Sequence, residues 1–168
     1  MSNMKAKVFN NWLPEGLNQY LTNVFLYNTP HYWGHTSNEG ESSFTFYTGF
    51  LNPQDLLYNY LFLKFCETAR KRLELLRMYI NIQHPGMNGG PHVDDGELSG
   101  VYMVTPTQEV GSGTLHVDTG DGNYEDIRFE RNKLVIFGAQ QKHWADAPSK
   151  DPRITLTFKT REVKNGNN

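Results

Sequence analysis

Gln83-His84-Pro85-Gly86-Met87-Asn88-Gly89-Gly90-Pro91-His92-Val93-Asp94-Asp95 is the stretch that decides how the rest of the chain is read. Residues two apart on an extended segment point to one face, so His92 and Asp94 present an imidazole and a carboxylate side by side. The glycines ahead of them let the backbone turn sharply and bring both side chains to one point. Two such side chains fill two coordination positions of a metal ion. The third ligand must come from elsewhere, and His143 is the candidate. Two histidines and one carboxylate on one face of an ion leave its other positions open to reactants. By strand alternation Asp95 points away, towards solvent or the outer surroundings of the site.

Outward from this stretch the apolar pattern has period two. Met78, Ile80 and Ile82 alternate with Tyr79, Asn81 and Gln83 ahead of it. Behind it, short runs at 98–104, 114–118, 124–129, 133–138, 142–144 and 153–159 are separated by turn residues such as Gly120-Asp121-Gly122-Asn123. With a further run at 43–50 this makes about eight short strands, the pattern of a jelly roll or barrel.

The N-terminal part differs. Residues 14–26 set Leu17, Tyr20, Leu21, Val24 and Phe25 at helical spacing. Asn52 as cap and Pro53 at the first position open a second helix, expected to run to about Leu75. In it Leu56, Tyr60 and Leu63 form one apolar row, and Phe62, Phe65, Cys66, Ala69 and Leu73 another. Residues 27–43 read as a long loop carrying His31, Tyr32, Trp33 and His35. Rings in such a place more often plug a core edge than line a site. The expected layout is a single domain over 1–168: helical and loop support with one strand at 1–75, a β core at 76–162, and a polar tail at 163–168.

Composition bounds the function. The 168 residues suit one domain with a sizeable core. A formal net charge of -2 gives no broad basic field, which argues against nucleic acid and an anionic membrane as partners. Cys66 is the single cysteine, so no disulfide forms within the chain. The N-terminal residues hold no apolar signal-peptide run and the chain no membrane-length one, so the expected location is cytoplasmic.

His116-Val117-Asp118 repeats the His-x-Asp spacing. In a double-stranded β-helix the paired ligands sit near the start of the roll and the remote histidine on the second-last strand, in the opposite sheet. Four expected strands separate Asp94 from His143, and only two separate Asp118 from it. The count favours His92 and Asp94. Beyond His143, Arg153 and Thr155 share a face of the next strand. An arginine fork and a neighbouring hydroxyl bind a carboxylate well.

His92-x-Asp94, His143 and Arg153-x-Thr155, in that order, resemble the motif string of the 2-oxoglutarate- and Fe(II)-dependent dioxygenases over residues 76–161. Gly113-Thr114-Leu115 before an acidic turn and Lys133-Leu134-Val135-Ile136-Phe137 before His143 are similar to the prolyl 4-hydroxylase-like branch. The resemblance implies a double-stranded β-helix (cupin-like jelly roll) and an oxidoreductase. It implies Fe(II) on His92, Asp94 and His143 as the catalytic centre. The co-substrates would be 2-oxoglutarate and O2, with ascorbate as an optional reductant. Arg153 and Thr155 would hold the distal carboxylate of 2-oxoglutarate, with Tyr102 touching the same molecule. Hydroxylation would release succinate and CO2. A prolyl or other peptidyl residue is the first expectation for the substrate. A nucleobase or small metabolite, or a non-catalytic jelly-roll binding module, are the alternatives. The loop at 31–35, the turn at 86–90 and Trp144 are candidates for the substrate rim. One feature departs from the branch: prolyl hydroxylases tend to carry a tyrosine shortly before the glycine turn, where this chain has Gln83-His84.

Overall fold

The computed structural model describes residues 4–36 and 44–163. The expected tail beyond Val163, and the 37–43 part of the expected loop, lie outside the described residues. The period-two runs form two antiparallel sheets. The larger has seven strands in the order β1 (Lys7–Phe9), β8 (Lys133–Gly138), β5 (Leu98–Met103), β10 (Arg153–Glu162), β4 (Leu73–Gln83), β3 (Thr45–Gly49) and β2 (Tyr32–Thr36). The smaller has three, in the order β7 (Tyr124–Ile127), β6 (Leu115–Asp118) and β9 (His143–Ala145). Two helices accompany them: α1 (Glu15–Asn23), which continues into a π-helical turn at Val24–Asn28, and α2 (Leu56–Ala69).

Alternation gives the large sheet two unlike faces. On one, Ile154, Leu156 and Phe158 of β10 and Met78, Ile80 and Ile82 of β4 pack in one core with Leu21 and Phe25 of the N-terminal helical segment and Leu61 and Phe65 of α2. Each fully buried side chain of this kind contributes about 1.5–3 kcal/mol. Phe65 stacks on Phe158 at 4.6 Å between ring centroids. A β-carbon on Gly100 would lie 2.3 Å from the Phe65 ring, so only glycine lets α2 settle this close to β5. On the other face, Val101, Met103, Val135 and Phe137 meet Leu115, Val117, Ile127 and Phe129 from the small sheet and the segment after it. Over β4 and β10 that face is polar instead. The register sets Gln83 opposite Arg153, Asn81 opposite Thr155, Tyr79 opposite Thr157 and Arg77 opposite Lys159.

The N-terminal part supplies three strands rather than one. β1 extends the large sheet beside β8, while β2 and β3 extend its other edge beyond β4. β2 falls where a loop was expected, and Tyr32 and Trp33 stand exposed on it rather than plugging the core. Helix α2 ends earlier than its apolar rows suggest. Arg70 turns left-handed at φ 53°, and Leu73 already belongs to β4. Asn52 caps a turn, not the helix: its Oδ1 accepts the Gln54 N–H at 3.0 Å. Of the two rows on α2, Leu56, Tyr60 and Leu63 face solvent. No helix among the described residues is long and apolar enough to cross a membrane.

Candidate metal centre

The connection from β4 to β5 passes across β9, and one backbone bridge there builds the site. The His92 N–H donates to the His143 carbonyl at 3.0 Å, and the His143 N–H returns to the His92 carbonyl at 2.9 Å. This sets the two rings together with centroids 4.3 Å apart. Two residues on, the Asp94 N–H donates to the Ala139 carbonyl at 2.8 Å, which fixes the carboxylate beside them. Each imidazole uses Nδ1 on a backbone carbonyl: Gly90 for His92 and Gln141 for His143, both at 2.8 Å. A carbonyl only accepts, so Nδ1 carries the hydrogen and Nε2 keeps a lone pair. Those Nε2 atoms stand 3.5 and 3.4 Å from the Asp94 carboxylate. Donor atoms of all three residues lie within 4.8 Å of one another, the one cluster of its kind among the described residues. The distances, the tautomers and the mixed nitrogen–oxygen donor set fit a divalent transition metal.

Asp94 is buried at 4% exposure. Ser99 donates to its Oδ2 at 2.6 Å, and the Lys159 ammonium stands 2.8 Å from Oδ1. Burial alone would raise the pKa of this carboxyl; the charge of the Lys159 ammonium beside it acts the other way and lowers it. It is therefore an anion ready to ligate.

One pocket carries the triad and extends along the polar face to Arg153 and Thr155. The Arg153 guanidinium donates through Nε to the Gly113 carbonyl at 3.0 Å and through Nη1 to Gln83 Oε1 at 2.7 Å, and it lies over the Phe129 ring. Among the described residues no carboxylate forms an ion pair with it. Burial lowers its pKa to about 10, with the charge of Asp146 acting weakly the other way. Asn81, between the two ends, has a buried Oδ1 without a hydrogen-bond partner. Such a chamber is built for a polar guest, since unpaired buried polar groups are costly.

The structure thus brings His92, Asp94, His143, Arg153 and Thr155 to one pocket. It does not bring Tyr102. In β5 it is Val101 and Met103 that face the small sheet, so Tyr102 points to the helices. There its hydroxyl receives a hydrogen bond from Asn18 at 2.6 Å and donates to Asn132 at 3.0 Å. The sequence-based role of Tyr102 on 2-oxoglutarate is corrected accordingly. Sequence alone does not single out Tyr79, Ser99 and Lys159, and it marks Gln83 only as the place where the branch would carry a tyrosine. Counting in twos from Arg153 along β10 reaches Lys159, and its register partners on β4 follow. His116 is not part of the pocket. Its two nitrogens bond Asp126 at 2.7 Å and Asp146 at 2.8 Å, on opposite edges of the ring, so the two carboxylates cannot share an ion with it. Asp95 is exposed and paired with Arg77. Trp144 lines the pocket and stacks on His116.

A prolyl-4-hydroxylase from Pseudomonas putida is similar over 95% of this chain and 93% of its own, with a TM-score of 0.70 at 17% identity. A protein from Burkholderia pseudomallei described as an oxidoreductase of the 2OG-Fe(II) oxygenase family is similar over 97% and 87%, with a TM-score of 0.72 at 14% identity. The chain has the 2-oxoglutarate/Fe(II) oxygenase fold. The same fold covers 91% of this chain and 81% of HygX from Streptomyces hygroscopicus, solved with nickel, 2-oxoglutarate and hygromycin B bound, at a TM-score of 0.67 and 10% identity. No family model and no curated protein matches the sequence.

Proposed function

We propose that the protein is an Fe(II)- and 2-oxoglutarate-dependent dioxygenase whose two sheets form a double-stranded β-helix. His92, Asp94 and His143 hold the metal, and Arg153 with Thr155 holds the distal carboxylate of 2-oxoglutarate. One observation carries the reading: a buried guanidinium without a carboxylate partner among the described residues shares a pocket with a three-donor cluster already in its ligating tautomers. A buried cation without a counter-charge is costly, and a bound dicarboxylate supplies that charge.

Iron in this site, with 2-oxoglutarate and O2, supplies the oxidising chemistry that hydroxylates a substrate and releases succinate and CO2. The chain's own residues do the placing. The Gly90 and Gln141 carbonyls fix the imidazoles, and Ser99 fixes Asp94. Gln83 and the Gly113 carbonyl aim the guanidinium. Arg153 is a positioning group and moves no proton. A prolyl or other peptidyl residue is the substrate we favour, supported by the prolyl-4-hydroxylase that matches almost end to end. The same chemistry on a small molecule is the second reading, supported by the neighbour that binds hygromycin B. A cytoplasmic location belongs to this reading.

The test is an anaerobic Fe(II) titration followed by visible absorption. A charge-transfer band should appear only when Fe(II) and 2-oxoglutarate are both present, and it should vanish in His92→Ala. Folded protein that gives no band overturns the reading.

A further inference from the structure

We propose that the substrate carries a carboxylate that docks on Lys159 and Arg77, on the side of the metal centre away from Arg153. The inference rests on the oxygenase reading and names a substrate class for that site. Strand β10 acts as a ruler. Arg153 and Lys159 both point to the hollow face, six residues apart, so at about 3.3 Å per residue they stand roughly 20 Å apart. Asp94 lies at the Lys159 end, 2.8 Å from its ammonium. The pocket from the triad to Arg153 is then the co-substrate arm. A second cleft of about 410 Å3 opens beyond Lys159, separated from the first by Phe46, Tyr79, Asn81 and His92, which line both. Its cationic residues are Lys159 and Arg77.

These two are direct cross-strand partners and line the same cleft. Like charges placed so repel each other and weaken a sheet. Each has one carboxylate for relief, Asp94 for Lys159 and Asp95 for Arg77. Asp94 is also one of the three donors in the candidate metal cluster. Once a metal draws on that carboxylate, the facing cations are left with one full counter-charge between them. An anionic group in the cleft restores the balance through charge-assisted hydrogen bonds, which are stronger than neutral ones. His35 lines the same cleft. Burial, then the charges of Lys159 and Arg77, lower its pKa, so it adds a neutral ring rather than a third cation. The carboxylate can belong to an acidic side chain or to a chain terminus, and the chemistry is the same.

The experiment uses protein loaded with Co(II) and 2-oxoglutarate without O2, and ligand-observed NMR with matched probes. N-acetyl-L-aspartic acid α-methylamide is compared with N-acetyl-L-asparagine α-methylamide for the side chain, and N-acetyl-L-proline with N-acetyl-L-prolinamide for the terminus. At least one acid should bind 10-fold or more tightly than its amide. Lys159→Gln and Arg77→Gln should each erase that preference, while Lys64→Gln on α2 keeps it. Lys159→Arg should restore most of it. Co(II) affinity should survive both glutamine substitutions. Acid and amide binding alike, or no probe binding, overturns the proposal. So does a loss of Co(II) affinity in Lys159→Gln as large as the loss of probe binding, because Lys159 then only supports Asp94. The Co(II) and 2-oxoglutarate spectra are recorded first. Their failure sinks the oxygenase reading; their success without an acid preference sinks only the substrate class.

Discussion

Arg153 shows how much one side chain decides. Its guanidinium is held from behind by the Gly113 carbonyl and by Gln83, and Gln83 in turn donates to the Met87 carbonyl at 2.8 Å. Gln83 occupies the place where the resemblance led one to look for a tyrosine, and it orients the arginine from there. Removing the fork should weaken 2-oxoglutarate binding by the worth of charge-assisted hydrogen bonds, about 1.5–3 kcal/mol, or roughly 10- to 150-fold. Arg153→Ala should show that loss in isothermal titration with 2-oxoglutarate while the Co(II) affinity stays within about twofold. Equal loss of both would make Arg153 a folding residue. This residue was legible because its charge opens the expected strand ten residues after His143 and shares a face with Thr155. Lys159 was not, because it closes the expected strand like a solvated end residue, and its place beside Asp94 shows only once the connection from β4 to β5 is laid across the sheet. Tyr102 was misplaced because neighbouring residues of a strand face opposite ways, so a one-position error carries a side chain through the sheet.

At the element scale His116 ties the three strands of the small sheet together. It sits on β6 opposite Asp126 of β7 and Trp144 of β9, and its ring bonds Asp126 and Asp146 while stacking on Trp144. Burial would lower its pKa, but the hydrogen bonds and charges of Asp146 and Asp126 outweigh this and raise it. A folded-state pKa above the unfolded value of about 6.5 stabilises the fold fully below that pH. The stabilisation is lost as pH rises through the folded value. The difference in thermal midpoint between wild type and His116→Gln should therefore be largest below about pH 6.5 and shrink on the alkaline side. A difference that is flat with pH would show that the imidazolium is not what binds β7 and β9. Succinate production should survive this substitution, since His116 faces away from the pocket. The strands of this sheet were legible from turn residues and alternation. β2 was not, because Gly34 and a register shift between Trp33 and His35 break its period. The end of α2 was overrun because Leu73 fits the helical apolar row and the strand equally well, and the left-handed Arg70 carries no sequence mark.

For the whole molecule, the candidate centre joins parts that the backbone holds only loosely. His143 belongs to the small sheet, and Asp94 sits on the connection that feeds β5 of the large one. Between that connection and β9 run two backbone hydrogen bonds at His92 and one from Gly89 to Ala145. A divalent ion on all three side chains adds a cross-link that the unfolded chain, with its ligands scattered over some fifty positions, cannot hold with comparable affinity. Binding to the folded state alone stabilises it by about 2.7 kcal/mol at a hundred times the dissociation constant. At about 2–4 °C per kcal/mol for a chain of this size, the thermal midpoint should rise by roughly 5–10 °C with Co(II) or Mn(II). The rise should disappear in His143→Ala, which removes the contribution from the small sheet, and persist in His116→Ala, which leaves the cluster intact. Scanning fluorimetry across a metal titration reads all three proteins. An equal rise in His143→Ala would place the ion elsewhere on the chain. No rise in wild type would mean that these donors, converged as they are, do not close on a metal.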